Sequence, residues 1–201
     1  MGYYVDGSVT PAGAKLGTLT EGLGFDLVTV DTAAGRSTGV DVSTEYVFKS
    51  QSDSDQQPAA TNEVMQVRFG PALAAFNAFE LAADGTLTCL QAGNYNFYSR
   101  LLVGRTGGSA GAADIFIRAK VNGVQTGPTV FAKVAGTDFV FPAIFNYYFD
   151  MNVGDTMVVE LIRGSGGANE GGILRQSPTL AGWDEVPSAY IAISQTTGTL
   201  T

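Results

Sequence analysis

The sequence predicts an all-β, antiparallel sandwich preceded by an extended amino-terminal segment. Residues 139–151 form a long tract that is apolar at every second position, and shorter alternating segments separated by turn residues precede and follow it. No segment keeps a helical period with caps for even ten residues. Because side chains alternate between two faces at period two only in a strand, the tract indicates a strand with one buried face. A chain of 201 residues can form one such domain with a sizeable core.

The tract also makes a second prediction, which concerns its other face. Its odd positions are all apolar, and its even positions mix polar residues with Val140, Ile144 and Tyr148. An even face of this kind is too apolar for a fully solvated surface, and exposed apolar patches usually mark an interface. The alternative is a strand that is buried on both faces inside the sandwich.

The remaining strands follow one another with turn signals at the spacing expected of a sandwich. Those beyond residue 63 are predicted at 64–69, 76–81, 86–90, 94–103, 114–121, 124–134, 139–151, 156–163 and 188–194. Tyr98 and Arg100 lie opposite the predicted core side of their strand, and Phe116 does so in the strand that follows it. Asn122-Gly123 predicts a two-residue hairpin of the primed type, because both of its central positions favour positive φ.

Charge and aromatic content divide the chain near residue 63. Residues 1–63 hold nine acidic and three basic residues, whereas residues 64–201 hold ten and eight, together with ten of the twelve Phe. The first part has strand-like pieces at 25–30, 40–42 and 46–48 but little core of its own. It is therefore expected to complete its burial on another surface, or else to be a partly disordered tail. Its polar stretch 49–58 is typical of a linker. The predicted organisation is an anchoring arm, 1–63, and a sandwich domain, 64–201.

The composition argues against catalysis and against several classes of partner. The chain has no His, which removes the commonest general base and metal ligand, and its single Cys, Cys89, lies in an apolar run that indicates a core position. The neighbouring carboxylates lack the spacing of a calcium loop, and the glycine-rich loops lack a phosphate-binding context, so we expect no metal and no cofactor. A net charge of −8 without a basic cluster disfavours both nucleic acid and an anionic membrane surface as partners. Without a signal peptide or an apolar run of about 20 residues, the chain is expected to be made as a soluble protein.

Four motifs in order resemble those of the C1q/tumour-necrosis-factor family. They are Gly93–Phe97 (G-x-Y-x-F), the hairpin Val121–Gly123, the step Met151–Val159 (L-x-x-G-D-x-V-x-L), and the closing strand Ser188–Ile193. The resemblance covers residues 64 to about 195 and implies a jelly-roll sandwich that assembles as a trimer around aromatic-rich faces. On that basis the expected trimer interface comprises Tyr98, Phe116, Val140, Ile144 and Tyr148.

The sequence departs from the secreted animal members of that family, because it lacks a collagen-like stalk, disulfides and any Asn-X-Ser/Thr sequon. An acidic jelly roll with an amino-terminal arm is more similar to the capsid decoration (cement) or head-fibre proteins of tailed bacteriophages. The resemblance then implies a non-enzymatic homotrimer, located on the virion, that binds the major capsid protein or another virion protein through residues 1–63 and stabilises the capsid.

The runner-up hypothesis is a fibre or tail protein whose jelly-roll tip binds a host glycan or receptor. The glycine-rich loop from Gly164 to Val186 carries Arg175 and the only Trp, Trp183, and loops of this length usually carry function or cover something. A buried plug at the end of the sandwich is the more ordinary use of a tryptophan and is the favoured interpretation of Trp183.

Overall fold

The computed structural model describes residues 15–16, 25–32, 35–42, 46–75, 78–107, 111–137, 139–165 and 170–196. These residues form strands and connections, and none of them lies in a helix that could cross a membrane. The strands are β1 (Lys15–Leu16), β2 (Phe25–Thr32), β3 (Gly35–Val42), β4 (Tyr46–Ser52), β5 (Val64–Gln66), β6 (Ala72–Ala75), β7 (Phe79–Leu81), β8 (Leu87–Cys89), β9 (Gly93–Gly104), β10 (Ala113–Val121), β11 (Val124–Val134), β12 (Phe141–Met151), β13 (Thr156–Arg163), β14 (Gly172–Ile173) and β15 (Ala189–Gln195).

The strands from β4 onward form two six-stranded antiparallel sheets. Sheet I has the order β12-β9-β15-β4-β6, with β14 also paired to β9, and sheet II has the order β11-β10-β13-β8-β7, with β5 paired to β13. Neighbours in each sheet are mostly distant in sequence, as in a jelly roll, where the chain passes back and forth between two sheets. The predicted all-β jelly-roll sandwich is thereby confirmed.

The core lies between the two sheets and is closed by aromatic rings. Phe79 meets Tyr95 and Phe97 edge-on, with ring centroids 4.8 and 5.6 Å apart, and Phe97 meets Phe149 at 5.1 Å. Such edge-to-face pairs add to the stabilisation that comes from burying the rings. Cys89 is fully buried beside this cluster, which confirms its predicted core position.

The tract that led to the fold prediction is β12 with a short lead-in. Four of its odd positions, Ala143, Phe145, Phe149 and Met151, are buried, as the period predicts. Phe141 and Tyr147 are only half-buried and pack against the core. Phe139 departs from that pattern, because it precedes the first residue of the strand and is exposed. A residue before the ladder is not held to the alternation of the strand.

The β10–β11 hairpin turns at Asn122-Gly123, and both residues have positive φ, +50° and +79°. This confirms the primed turn predicted from the sequence. Further along β11 the register shifts between Ile117 and Ala119 of β10, so the segment around Gly127 bulges out of the ladder.

The boundary of the sandwich differs from the division at residue 63. The chain separates into one compact unit formed by residues 1–45 and 197–201 and another formed by residues 46–196. Strand β4 pairs with β15 along its length, and Gln56 exchanges backbone hydrogen bonds with Ile173, so residues 46–63 belong to the sandwich. Charge and composition did not indicate this, because β4 supplies one inward phenylalanine among polar residues.

The unit before residue 46 contains a three-stranded antiparallel sheet of order β1-β2-β3. The register places Phe25 opposite Val42 and Leu27 opposite Val40. The strand-like pieces predicted at 25–30 and 40–42 are confirmed as β2 and β3. The rest of the predicted arm before residue 46 lies outside the described residues, and its anchoring role stays a prediction.

Candidate interaction surface

The outer face of sheet I carries an aromatic and aliphatic surface. Ile144 and Tyr148 of β12 point away from the core and are 51% and 65% exposed. Between β12 and β15, Tyr98 of β9 lies on the same face and is half-buried. Three of the five residues predicted for a trimer interface are therefore brought together.

Register fixes how this surface is arranged across the sheet. Ile144, Arg100 and Tyr190 form one cross-strand row. Asn146, Tyr98 and Ala192 form the next. The Tyr98 and Tyr190 rings meet edge-on with centroids 6.2 Å apart. We call the surface formed by Tyr98, Arg100, Ile144, Tyr148 and Tyr190 the aromatic face.

Tyr190 was missed by sequence reasoning, although a signal for it exists. The flanking residues Ala189 and Ile191 are buried, so the alternation of β15 turns Tyr190 outward. The sequence prediction placed a strand at 188–194 and used it as a family motif, but did not separate its two faces.

Arg100 is the charged member of the aromatic face. Its guanidinium carbon lies 5.9 Å from the centre of the Tyr190 ring, a cation–π distance. Its Nε is buried without a hydrogen-bond acceptor, and four positions earlier in the strand Asn96 Oδ1 is buried without a donor. A buried donor and a buried acceptor thus lie on either side of Tyr98 along β9.

The structure separates Phe116 from the other predicted interface residues. Phe116 lies on β10 in sheet II, and it packs on Phe131 with ring centroids 5.0 Å apart. Its strand pairs place it in one row with Ile162 and Val64. The outer faces of two packed sheets point in opposite directions, so Phe116 does not share a surface with Tyr98.

Val140 also lies apart from the aromatic face. It precedes β12 and is half-buried. A side chain at Gly104 would come within 2.9 Å of Val140 and 2.8 Å of Leu174, which shows that both residues pack over the end of β9. Val140 therefore covers the backbone at the end of β9 in sheet I.

The loop that leads into β15 presents the predicted ligand residues in different ways. Arg175 Nη1 forms an ion pair with Glu185 at 3.2 Å, and its backbone N–H donates to Asp55. Ser177 also donates to Glu185, and Gln176 pairs with Val186 through both backbone hydrogen bonds. The loop is thus tied at its base by contacts on both of its strands.

Trp183 projects from this loop and is 71% exposed. The prediction that it plugs the end of the sandwich is wrong, because the loop leaves the sheet after β14 and carries the indole into solvent. Leu180 in the same loop is exposed as well. The exposed position of Trp183 is compatible with the other interpretation, in which its ring contacts a ligand.

Two titratable groups with shifted pKa values serve a turn and the core, respectively. Hydrogen bonds from the backbone N–H of Asn152 and the side chain of Asn122 hold the pKa of Asp155 below its usual value. The same hydrogen bonds fix the turn between β12 and β13. Burial raises the pKa of Tyr95 to about 12, and its hydroxyl donates to the carbonyl of Gln91. Within the described part of the chain, no three acidic, Cys or His side chains are grouped to hold a metal ion.

Comparison with known proteins finds similarity in three-dimensional structure alone. No protein-family model matches the chain, and no curated protein matches it. Crystal structures of murine APRIL at pH 8.0, 8.5 and 5.0 are similar to it, with 14%, 14% and 15% sequence identity and TM-scores of 0.46, 0.45 and 0.47. Each match covers 75% of this chain and 98% of the APRIL chain. Such low values support no conclusion about a ligand or partner of this protein.

Proposed function

We propose that this chain is a non-enzymatic structural protein that assembles as a homotrimer and decorates a bacteriophage capsid through its amino-terminal part. The observation that carries the homotrimer is the aromatic face. Tyrosine and arginine are enriched at the energetically dominant positions of protein interfaces, and here they lie side by side on one sheet. Ile144 and Tyr148 are more than half exposed on that sheet, which favours a protein partner.

Two matched variants test the assembly. Tyr148→Ser removes an exposed ring from the aromatic face, and Phe131→Ser removes an exposed ring from the outer face of sheet II. Sedimentation velocity at micromolar concentration should show a trimer for the wild type and for Phe131→Ser, and dissociation for Tyr148→Ser. A monomeric wild type, or equal behaviour of the two variants, contradicts this part of the proposal.

Capsid decoration is the finer part of the proposal, and it is supported by the acidic composition of residues 1–63 and by the resemblance to phage decoration proteins. It implies a virion location, with the major capsid protein or another virion protein as the partner of the arm. The truncation that tests it should begin at residue 46, since β4 is part of sheet I. If a chain lacking residues 1–45 remains trimeric and binds capsids as tightly as the full chain, the anchoring role of that segment is wrong.

A second candidate function, recognition of a host glycan at a fibre tip, is favoured by the exposure of Trp183. An indole on a loop that is tied at its base can stack on an apolar sugar face without a large ordering cost. Glycan-array binding that is lost in Trp183→Ala and kept in Leu180→Ala would favour this function over capsid decoration. Absence of glycan binding by the wild type would exclude it.

A further inference from the structure

Arg100 has an unusual position for a charged residue. It lies in the middle strand of the aromatic face, between Ile144 and Tyr190 in the cross-strand row. Its guanidinium forms no ion pair or hydrogen bond with the described residues, and its Nε is buried without an acceptor. We propose that Arg100 forms an ion pair with a carboxylate from the neighbouring copy of this chain, an inference that rests on the proposed homotrimer.

The present arrangement of Arg100 has a cost. A buried polar group without a partner loses its hydrogen bonds to water and gains none in return. The stacking of Arg100 on Tyr190 compensates this loss only in part, because a cation–π contact leaves the N–H donors of the guanidinium unused. If another protein covered the face without supplying an acceptor, the cation would be desolvated further.

The shape of the guanidinium indicates the chemistry of the missing group. A guanidinium is planar. Because the Nε of Arg100 is already buried within the chain, a carboxylate from another copy would pair with the two terminal Nη donors, whose spacing matches its two oxygens. The two central rows of the face contain Arg100 and, in β4, Lys49, but no carboxylate among their described residues. A partner that presents acidic side chains is therefore complementary to the aromatic face in charge as well as in polarity.

Charge and symmetry identify the partner as a second copy. The chain has 19 acidic residues against 11 basic ones, so most of its charged residues are acidic and a second copy offers many carboxylates. In a closed three-membered ring each contact joins two different surfaces, so the aromatic face of one copy meets another region of its neighbour. A two-fold contact of the face with itself would instead bring Arg100 toward Arg100. The ring arrangement can therefore place a carboxylate opposite Arg100, whereas the two-fold arrangement places two positive charges near each other.

The first experiment compares two charge-removing variants of the full chain by sedimentation equilibrium. Arg100→Gln removes the proposed ion-pair partner, and Lys133→Gln removes an exposed charge from the outer face of sheet II. Losing one member of a buried pair should weaken trimer association on the order of 30-fold or more, whereas Lys133→Gln should leave it unchanged. Thermal unfolding of each variant at low concentration checks that the sandwich is intact.

The sign of the effect decides the inference. If Arg100 stays unpaired in the trimer, removing its charge relieves a desolvation cost, and Arg100→Gln associates as tightly as the wild type or more tightly. That result overturns the pairing while leaving the homotrimer in place. A wild type that is monomeric at micromolar concentration overturns the homotrimer itself, so the two failures are distinguishable.

A second experiment identifies the carboxylate. Arg100→Glu should abolish association, because it places an acid opposite an acid. Each of the 19 acidic residues is then changed to Arg in that background, so that one chain carries both reversed charges. Restoration of the trimer by one of these double variants identifies the partner residue. Restoration by none shows that the group facing Arg100 is not a carboxylate.

Discussion

Gly127 provides the sharpest test of how the open edge of the sandwich is held. It lies in the bulge of β11 with φ of +76°, and the ring of Tyr147 from β12 covers it. A Cβ at this position would come within 2.6 Å of Tyr147 Cε1 and 2.9 Å of Cδ1. The same tyrosine donates a hydrogen bond from its hydroxyl to the carbonyl of Pro128 at 2.7 Å. Substituting Gly127→Ala therefore strains the backbone and displaces a ring that bridges the two sheets.

The magnitude follows from these two effects. An alanine held in the left-handed region costs roughly 1–2 kcal/mol. Displacing the Tyr147 ring forfeits its hydrogen bond, which contributes about 0.5–1.5 kcal/mol. Gly127→Ala should thus lower the free energy of unfolding by about 1.5–3.5 kcal/mol. The measurement is urea denaturation at one fixed protein concentration, since association adds to apparent stability.

Gly123→Ala is the matched control for this prediction. Gly123 has nearly the same φ, +79°, but nothing lies within 4 Å of the position its Cβ would occupy. It should lose only the backbone part, roughly 1–2 kcal/mol. If the two variants are destabilised equally, the Tyr147 ring moves aside without a loss of stability. The contact that this ring makes between β11 and β12 then does not stabilise the fold. If Gly127→Ala is as stable as the wild type, the bulge geometry itself is wrong.

Three further outcomes are expected from buried and exposed side chains. Because the pKa of Tyr95 is raised to about 12 from an ordinary value of 10.0, the stability gained from keeping it neutral is complete below pH 10 and is lost as the pH rises toward 12. Alkaline unfolding monitored by circular dichroism should accordingly be less steep in Tyr95→Phe. Cys89 is buried, and burial raises the pKa of its thiol, so a thiol reagent should react with it only at the rate of unfolding. Trp183 is the only tryptophan, and its fluorescence in the monomer should be quenched by acrylamide about as readily before unfolding as after it.

The fold was predictable because its strands obey local rules. The period of β12 and the hairpin at Asn122-Gly123 depend on side-chain alternation and backbone φ, which single residues determine. Strand β4 escaped the charge-based boundary because its membership in sheet I depends on pairing with β15, more than 130 residues later in the sequence. A pairing of that range leaves no local signal in either segment.

The candidate interaction surface was predictable only in part for a related reason. Period two separates the two sides of one strand, so Tyr98, Ile144 and Tyr148 were correctly placed away from the core. It does not say which sheet a strand joins, and Phe116 was grouped with them although β10 lies in sheet II. The missing acceptor of Arg100 is a three-dimensional property, because it depends on what lies across the rows of the sheet.

The separation of Phe116 from the aromatic face constrains the assembly. The row Val64–Ile162–Phe116–Phe131 covers the outer side of sheet II, and both of its end residues are about half exposed. Contacts between two opposite faces of one subunit propagate copy after copy and give an open filament, whereas a closed trimer needs two contact surfaces inclined toward each other. The aromatic face and the Phe116 row therefore cannot be the two halves of one trimer contact. If the aromatic face joins the copies, the Phe116 row stays on the outside of the trimer, where it is free to meet a different partner.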